Sequence, residues 1–189
     1  MTHPTRWLMT LLFAALASSA ALAQKVKLAT SMGDVVLQLD ADKAPKTVAN
    51  FVQYVKDGHY DGLIFHRVIA TFMIQGGGFD ADMREKPTRA PIPLESRNGL
   101  NNLRGTVAMA RTNVPDSATS QFFINVVDNA FLDAANARDG NGYAVFGKVV
   151  SGMEVIDKIR EVPVGNRGPH QNVPQQPVVI RKATLESSK

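Results

Sequence analysis

Three histidines, His59, His66 and His170, are the proton-transfer candidates of the chain beyond its first few residues, and their spacing is informative. No H-x-x-x-H pair occurs and no carboxylate stands with them at ligand spacing, so a metal site is not expected. Cysteine is absent, which removes a thiol nucleophile, a thiolate zinc site and a disulfide framework together. Gly76-Gly77-Gly78 lacks both the G-x-G-x-x-G spacing and the G-K-[ST] ending of a phosphate loop, and reads as a tight turn. Arg67 follows His66 in a strand-like run. Alternation sends the two to opposite faces, making His66 a satisfied interior histidine and Arg67, taken alone, a surface charge.

The elements that hold these residues are legible from periodicity. Lys25 to Thr30 and Asp34 to Leu39, separated by Ser31-Met32-Gly33, predict a β-hairpin. Pro45 suits a first helical position, Val48, Phe51, Val52 and Val55 recur at helical spacing, and Gly58 supplies a stop. From Leu63 the apolar residues come in short runs: Leu63 to Ile69, Phe72 to Gln75, Gly105 to Ala110, Gln121 to Val126 and Tyr143 to Val149. That spacing favours an antiparallel sandwich or barrel. A second helix is expected from Met153 to Ile159 behind an S-x-x-E capping pattern at Ser151 and Glu154, and Val178 to Ile180 reads as a closing strand. Asp80 to Pro93, with three prolines, and Ala134 to Gly142 read as long surface loops.

Residues 1–23 read as a cleavable export signal. Arg6 and His3 precede an apolar stretch from Trp7 to Ala17, and Ala21-Leu22-Ala23 forms a small-residue cleavage site. The stretch is too short for the ~20 residues of a spanning helix, so no stable membrane insertion is expected after cleavage. Residues 24–189 then form one domain, large enough for a real core. With 44% hydrophobic and 20% charged residues the composition is that of an ordinary globular protein, and the net charge of +4 is scattered, giving nucleic-acid binding little support.

Four words in order carry more than composition. Phe65-His66-Arg67-Val68-Ile69, Phe72-Met73-Ile74-Gln75-Gly76-Gly77, Ser120-Gln121-Phe122-Phe123-Ile124 and Tyr143-Ala144-Val145-Phe146-Gly147-Lys148-Val149 resemble the signature segments of the cyclophilin-type peptidyl-prolyl cis-trans isomerases. Ala44-Pro45-Lys46-Thr47 and Asn50-Phe51 extend the resemblance, which runs from about Val26 to Ile180. It implies a mostly β fold, a closed eight-stranded antiparallel barrel capped by two α-helices, with a groove for proline-containing polypeptides on its outer face. Export together with Phe131 resembles the bacterial periplasmic branch of the family.

The resemblance also implies roles. Arg67 is the catalytic candidate. Rotation about an X-Pro bond faces a barrier of about 20 kcal/mol because nitrogen donates its lone pair into the carbonyl. A guanidinium donating toward that nitrogen makes its contact mainly in the twisted state, and the ~10⁴-fold acceleration needed corresponds to about 5 to 6 kcal/mol. No cofactor is required. Phe72, Met73, Phe123 and Leu132 match the apolar seat of the proline ring, and Gln75 the residue that orients the arginine. Gln121 shares a strand face with Phe123, while Phe122 and Ile124 point into the barrel. Ala110 and the backbone of Arg111 match the segment that pairs with bound peptide.

Three positions depart from the family pattern. Arg111 replaces a common Asn, Phe131 a common Trp, and Tyr143, after a longer loop, a common His. Since phenylalanine has no N–H to donate, weak cyclosporin binding is expected. These observations together give an isomerase that acts as a monomer on exported, periplasmic clients; a non-catalytic module that holds proline-containing segments on the same fold is the alternative.

Overall fold

The computed structural model describes residues 24–186, and the export signal read at residues 1–23 lies outside them. Alternating burial places Val26 and Leu28 of β1 (Lys25–Thr30) and Val35, Leu37 and Leu39 of β2 (Gly33–Leu39) on one face, and the two strands pair as the expected hairpin. Helix α1 (Pro45–Lys56) begins on its proline. Its cap comes from far away. Ala44 offers no side-chain bond, and the carboxylate of Glu95 instead accepts from the Lys46 and Thr47 backbone N–H groups at 3.1 and 2.8 Å. A carboxylate there satisfies orphan donors and complements the helix dipole.

Next come β3 (Leu63–Ile69), β4 (Met73–Asp80), β5 (Thr106–Met109), β6 (Phe122–Asn125), β7 (Val145–Ser151), α2 (Met153–Arg160), the hairpin β8 (Val164–Arg167) with β9 (His170–Pro174), and β10 (Ile180–Glu186). Eight strands form one antiparallel sheet in the order β10-β1-β2-β7-β5-β6-β4-β3. The barrel is therefore an open half-barrel rather than the closed one expected. Its edges β10 and β3 share no ladder; an isolated bridge at Ile64 and Val179 and hydrogen bonds from Phe65 N to Val178 O and Gly62 N to Ile180 O, both 2.9 Å, span the gap. Only the residues entering β10 pass β3, because the strand itself runs along β1 from Ile180 to Glu186.

Three local expectations are corrected. The S-x-x-E pattern does not cap α2: the cap falls on Gly152 at φ 90, where a Cβ would collide with the Asp34 carbonyl, and no side-chain bond forms. Gly76 to Gly78 lie inside β4, not in a turn. His66 is buried, but as the extra residue of a β-bulge, since Phe65 pairs with Gly76 and Arg67 with the adjacent Gln75. Its Nδ1 finds no partner among the described residues. The β8–β9 hairpin, which nothing in the sequence announced, closes over it: Phe79 sits 4.7 Å from the His66 ring and 5.0 Å from that of His170.

The apolar residues divide into two clusters. The larger contains Phe51, Tyr60, Phe65, Phe122 and Phe146 with the buried faces of α1 and α2, its rings meeting at 5.0 to 6.1 Å. The smaller contains Met73, Ala108, Phe123, Leu132 and Val145, with Phe72, Ala110 and Tyr143 half-buried against it. Strand alternation separates them: Phe122 and Ile124 point to the first, Phe123 to the second.

Candidate active site

Cross-strand register assembles the site. Arg67 pairs with Gln75, Gln75 with Phe123, Phe123 with Ala108 and Ala108 with Val145, a single row across β3, β4, β6, β5 and β7. Directly paired residues project to the same face of a sheet, so this row puts the guanidinium at one end of the apolar cluster's floor. Two strand spacings, about 10 Å, separate the Arg67 and Phe123 backbones, a distance the long arginine side chain can largely cover. The bulge at His66 keeps Arg67 out of the core, where strict alternation after Phe65 would leave no room for a charge.

Arg67 is held loosely. Its one side-chain hydrogen bond among the described residues runs from Nη1 to Gln75 Oε1 at 3.5 Å, the outer limit of such a bond, and no carboxylate lies within ion-pair distance. Gln75 is held more firmly, its Nε2 donating to Gln121 Oε1 at 2.9 Å, which turns the Gln75 oxygen toward the arginine. Gln121 packs on Gly78. A Cβ there would lie 2.7 Å from the glutamine's Cδ, so the glycine run in β4 is what lets this side chain lie flat across the strand.

The apolar seat has a floor and two ends. Met73, Phe123 and Leu132 are buried, with 2, 4 and 7% exposure. Phe131, more than half exposed, meets Phe72 at 5.4 Å at one end, and Tyr143 meets Phe123 edge-on at 5.7 Å. Ala110 continues the β5–β6 pairing through its N–H to Gln121 O at 2.9 Å. Every site residue expected from the sequence thus falls in or beside this one patch. A cavity of about 540 Å³ between Leu39, Asp40, Leu103 and Lys148 shares only Leu100 and Val145 with the cluster and is distinct from the seat.

Sequence reasoning missed what lies beneath Phe72 and Leu132. Asn129 Nδ2 donates to the Phe72 carbonyl at 2.9 Å and to Asn125 Oδ1 at 2.7 Å, and Asn125 in turn donates to Asn102 Oδ1 at 3.2 Å and Thr106 Oγ1 at 2.9 Å. Asn102 closes the set by donating from N and Nδ2 to Asp133 Oδ1. All three asparagines are buried, and such a satisfied network fixes its surroundings rigidly. The signal was present: Asn125 ends an otherwise apolar strand, and Asn129 directly precedes the Ala130–Leu132 turn.

The electrostatics are set by burial and by the loop after Leu132. Desolvation, with smaller contributions from His170 and Arg67, lowers His66 to about 4, so it is neutral at physiological pH and adds no charge beside Arg67. Asp139 is lowered to about 2 by the Asn141 backbone N–H and then by the Arg111 side chain. An unpaired guanidinium over an apolar patch, oriented by two amides, can bind an apolar ring and donate to an atom next to it. It offers no nucleophile.

Residues 25–185 match the family described as cyclophilin type peptidyl-prolyl cis-trans isomerase/CLD. The chain is 58% identical to peptidyl-prolyl cis-trans isomerase A of Dickeya dadantii over 89% of this chain and 88% of that one, and 54% identical to peptidyl-prolyl cis-trans isomerase B of Escherichia coli over 82% and 96%. Its fold is similar to the crystal structure of a Cryptosporidium parvum cyclophilin type isomerase in the presence of the dipeptide Ala-Pro, with a TM-score of 0.71 and 26% identity over 87% of this chain and all of the other.

Proposed function

We propose, from the premise that this chain belongs to the cyclophilin-type peptidyl-prolyl cis-trans isomerases and is itself such an isomerase, that Arg67 drives the rotation and that the clients are exported proteins. One observation carries the assignment of the site: the row from Arg67 through Gln75 to Phe123, which sets a weakly held guanidinium over an apolar patch separate from the core.

The proline ring rests on Met73, Phe123 and Leu132, with Phe72 and Phe131 at one end and Tyr143 at the other. Main-chain groups at Ala110 and Arg111 pair with the extended peptide. As the bond twists, the proline nitrogen becomes pyramidal and its lone pair localises. Arg67 then gains an acceptor that neither planar isomer offers, and a contact made mainly in the twisted state lowers the barrier rather than deepening the ground state. Its long bond to Gln75 favours this: little is broken when the guanidinium turns to the substrate.

A protease-coupled assay on a proline tetrapeptide tests the role of Arg67. Arg67→Ala is expected to lower kcat/KM by about 10²- to 10³-fold with an unchanged melting temperature, and Arg67→Lys to recover little of it, because a point charge does not reproduce the planar fork. Near-wild-type turnover of a folded Arg67→Ala protein overturns the mechanism.

Export rests on the sequence of residues 1–23, and the compartment we assign is the periplasm, where the chain works as a monomer. Mass spectrometry of exported material is expected to give a protein beginning at Gln24; a retained Met1 overturns this part of the reading. Phe131 at the groove's exposed end supports weak binding of cyclosporin, for want of an indole donor.

A further inference from the structure

The groove has a second arginine, and it is engaged in every way that Arg67 is not. The Arg111 side chain is only 3% exposed. Its Nε donates to the Gly142 carbonyl at 2.9 Å, its Nη1 to the Thr112 carbonyl at 2.9 Å, and its Nη2 pairs with the Asp139 carboxylate. Arg111 Cζ lies over the Tyr143 ring, 4.7 Å from its centroid, and that ring meets Phe123 on the floor of the seat in a T-shaped pair.

These contacts join two separate pieces of chain. Arg111 follows β5 directly, Asp139 and Gly142 belong to the long loop after Leu132, and Tyr143 is where that loop returns to the sheet. Asp139 holds the loop to itself as well, Oδ1 accepting from the Asn141 N–H at 2.9 Å and from the Gly142 N–H at 3.3 Å. Gly142 sits at φ +65 with no room for a side chain, its Cβ position lying 2.5 Å from Ala134 N and 2.6 Å from Leu132 O. A loop of this length with few apolar contacts leaves its last residue free to move unless something fixes it. Its carboxylate, bonded to backbone N–H groups and to a guanidinium, stays ionised far below physiological pH, so the pairing does not lapse in use.

We infer that Arg111 is a positioning residue, a clamp that locks the Tyr143 ring as a wall of the proline seat and thereby sets which peptides bind. The inference rests on the placement of the groove given above. In this arrangement the arginine side chain never touches substrate; it acts through the ring that does. Replacing it leaves the Arg67 chemistry intact and loosens the wall.

Kinetics of Arg111→Ala, Tyr143→Ala and the double variant on a proline tetrapeptide, with kcat and KM resolved and each protein measured well below its melting temperature, test this. Arg111→Ala is expected to raise KM about five- to tenfold while kcat moves less than about twofold, the scale of a desolvated cation–π contact. In the Tyr143→Ala background the same change is expected to add almost nothing, since the ring it acts through is gone. Asp139→Asn is expected to shift KM in the same direction and less. An unchanged KM in Arg111→Ala overturns the clamp, and an equal rise in the Tyr143→Ala background overturns it in favour of direct contact with peptide. Arg67→Ala measured alongside separates this from the groove itself: full turnover there removes the site, whereas lost turnover there with an unmoved KM in Arg111→Ala removes only the clamp.

Discussion

Phe122 and Phe123 are neighbours in one strand, chemically identical, and belong to different regions of the molecule. Phe122 is sealed in the core, its ring meeting Phe51, Tyr60 and Phe65 at 5.4, 5.5 and 6.1 Å. Phe123 lies in the smaller cluster, nearly as buried at 4%, yet its surroundings end at a half-exposed Tyr143 and an exposed Phe131. The core has closed every contact it can make. The groove has left one side unfilled, next to a guanidinium with no ion-pair partner among the described residues. An apolar surface completed by the protein contributes stability, and one left for a ligand contributes binding.

The sharpest way to break this comparison is to truncate each ring. Phe122→Ala is expected to cost about 3 to 5 kcal/mol, because close-packed rings cannot collapse into the space. Phe123→Ala is expected to cost roughly 2 kcal/mol and to raise KM about tenfold, the missing ring being part of the seat. Denaturant unfolding and peptide kinetics on both variants check this; equal stability losses with equal KM values would erase the distinction.

A pH series comes next. Between the two regions lies the bulge, where the buried His66 stands beside Arg67. The folded-state value of His66, about 4, is below its ordinary 6.5, so the unfolded chain binds more protons between those limits. Stability is therefore full above pH 6.5 and falls as pH drops toward 4, by up to about 3 kcal/mol. His66→Phe is expected to flatten that slope in urea unfolding series, while kcat/KM of the folded protein at pH 7 stays within about twofold. A slope that survives the substitution assigns the acid sensitivity to another group.

The smallest effect concerns the groove's exposed end. Phe131→Trp restores an indole N–H and is expected to tighten cyclosporin inhibition by about 5- to 150-fold, the range for pairing one buried acceptor, with kcat/KM moving less than about twofold. Titration of both forms in one activity assay decides it. No gain would place the control of this ligand at Tyr143 or the loop before it.

The strands that carry the site were legible for a reason visible in their residues. Leu63 to Ile69 has in the structure the bounds its sequence predicts, because a short β-rich run that starts behind Gly62 has few other outcomes. The alternation of Gln121, Phe122, Phe123 and Ile124 likewise assigned each to its face. His66 shows the limit: alternation assumes one residue opposite one, and the bulge adds one that only the partner strand reveals. The β8–β9 hairpin was invisible for a different reason, since Val164-Gly165-Asn166-Arg167 has no alternation and one apolar residue, and is held by pairing and by distant contacts such as that of Arg167 with the Ala81 carbonyl.

The sequence by itself determined the family and its isomerase chemistry, and it named residues that the strand register brings to one face, because these depend on residue types at short spacings that a strand converts directly into faces. Only the tertiary structure decided that the half-barrel stays open between β3 and β10, that Glu95 caps a helix begun 50 residues earlier in the chain, and that the two arginines of the groove differ. The last of these follows from a simple cause. What an arginine does depends on which acceptors surround it, and for Arg111 three of them, the Asp139 carboxylate and the Gly142 and Tyr143 groups, arrive on a loop whose path no local pattern specifies.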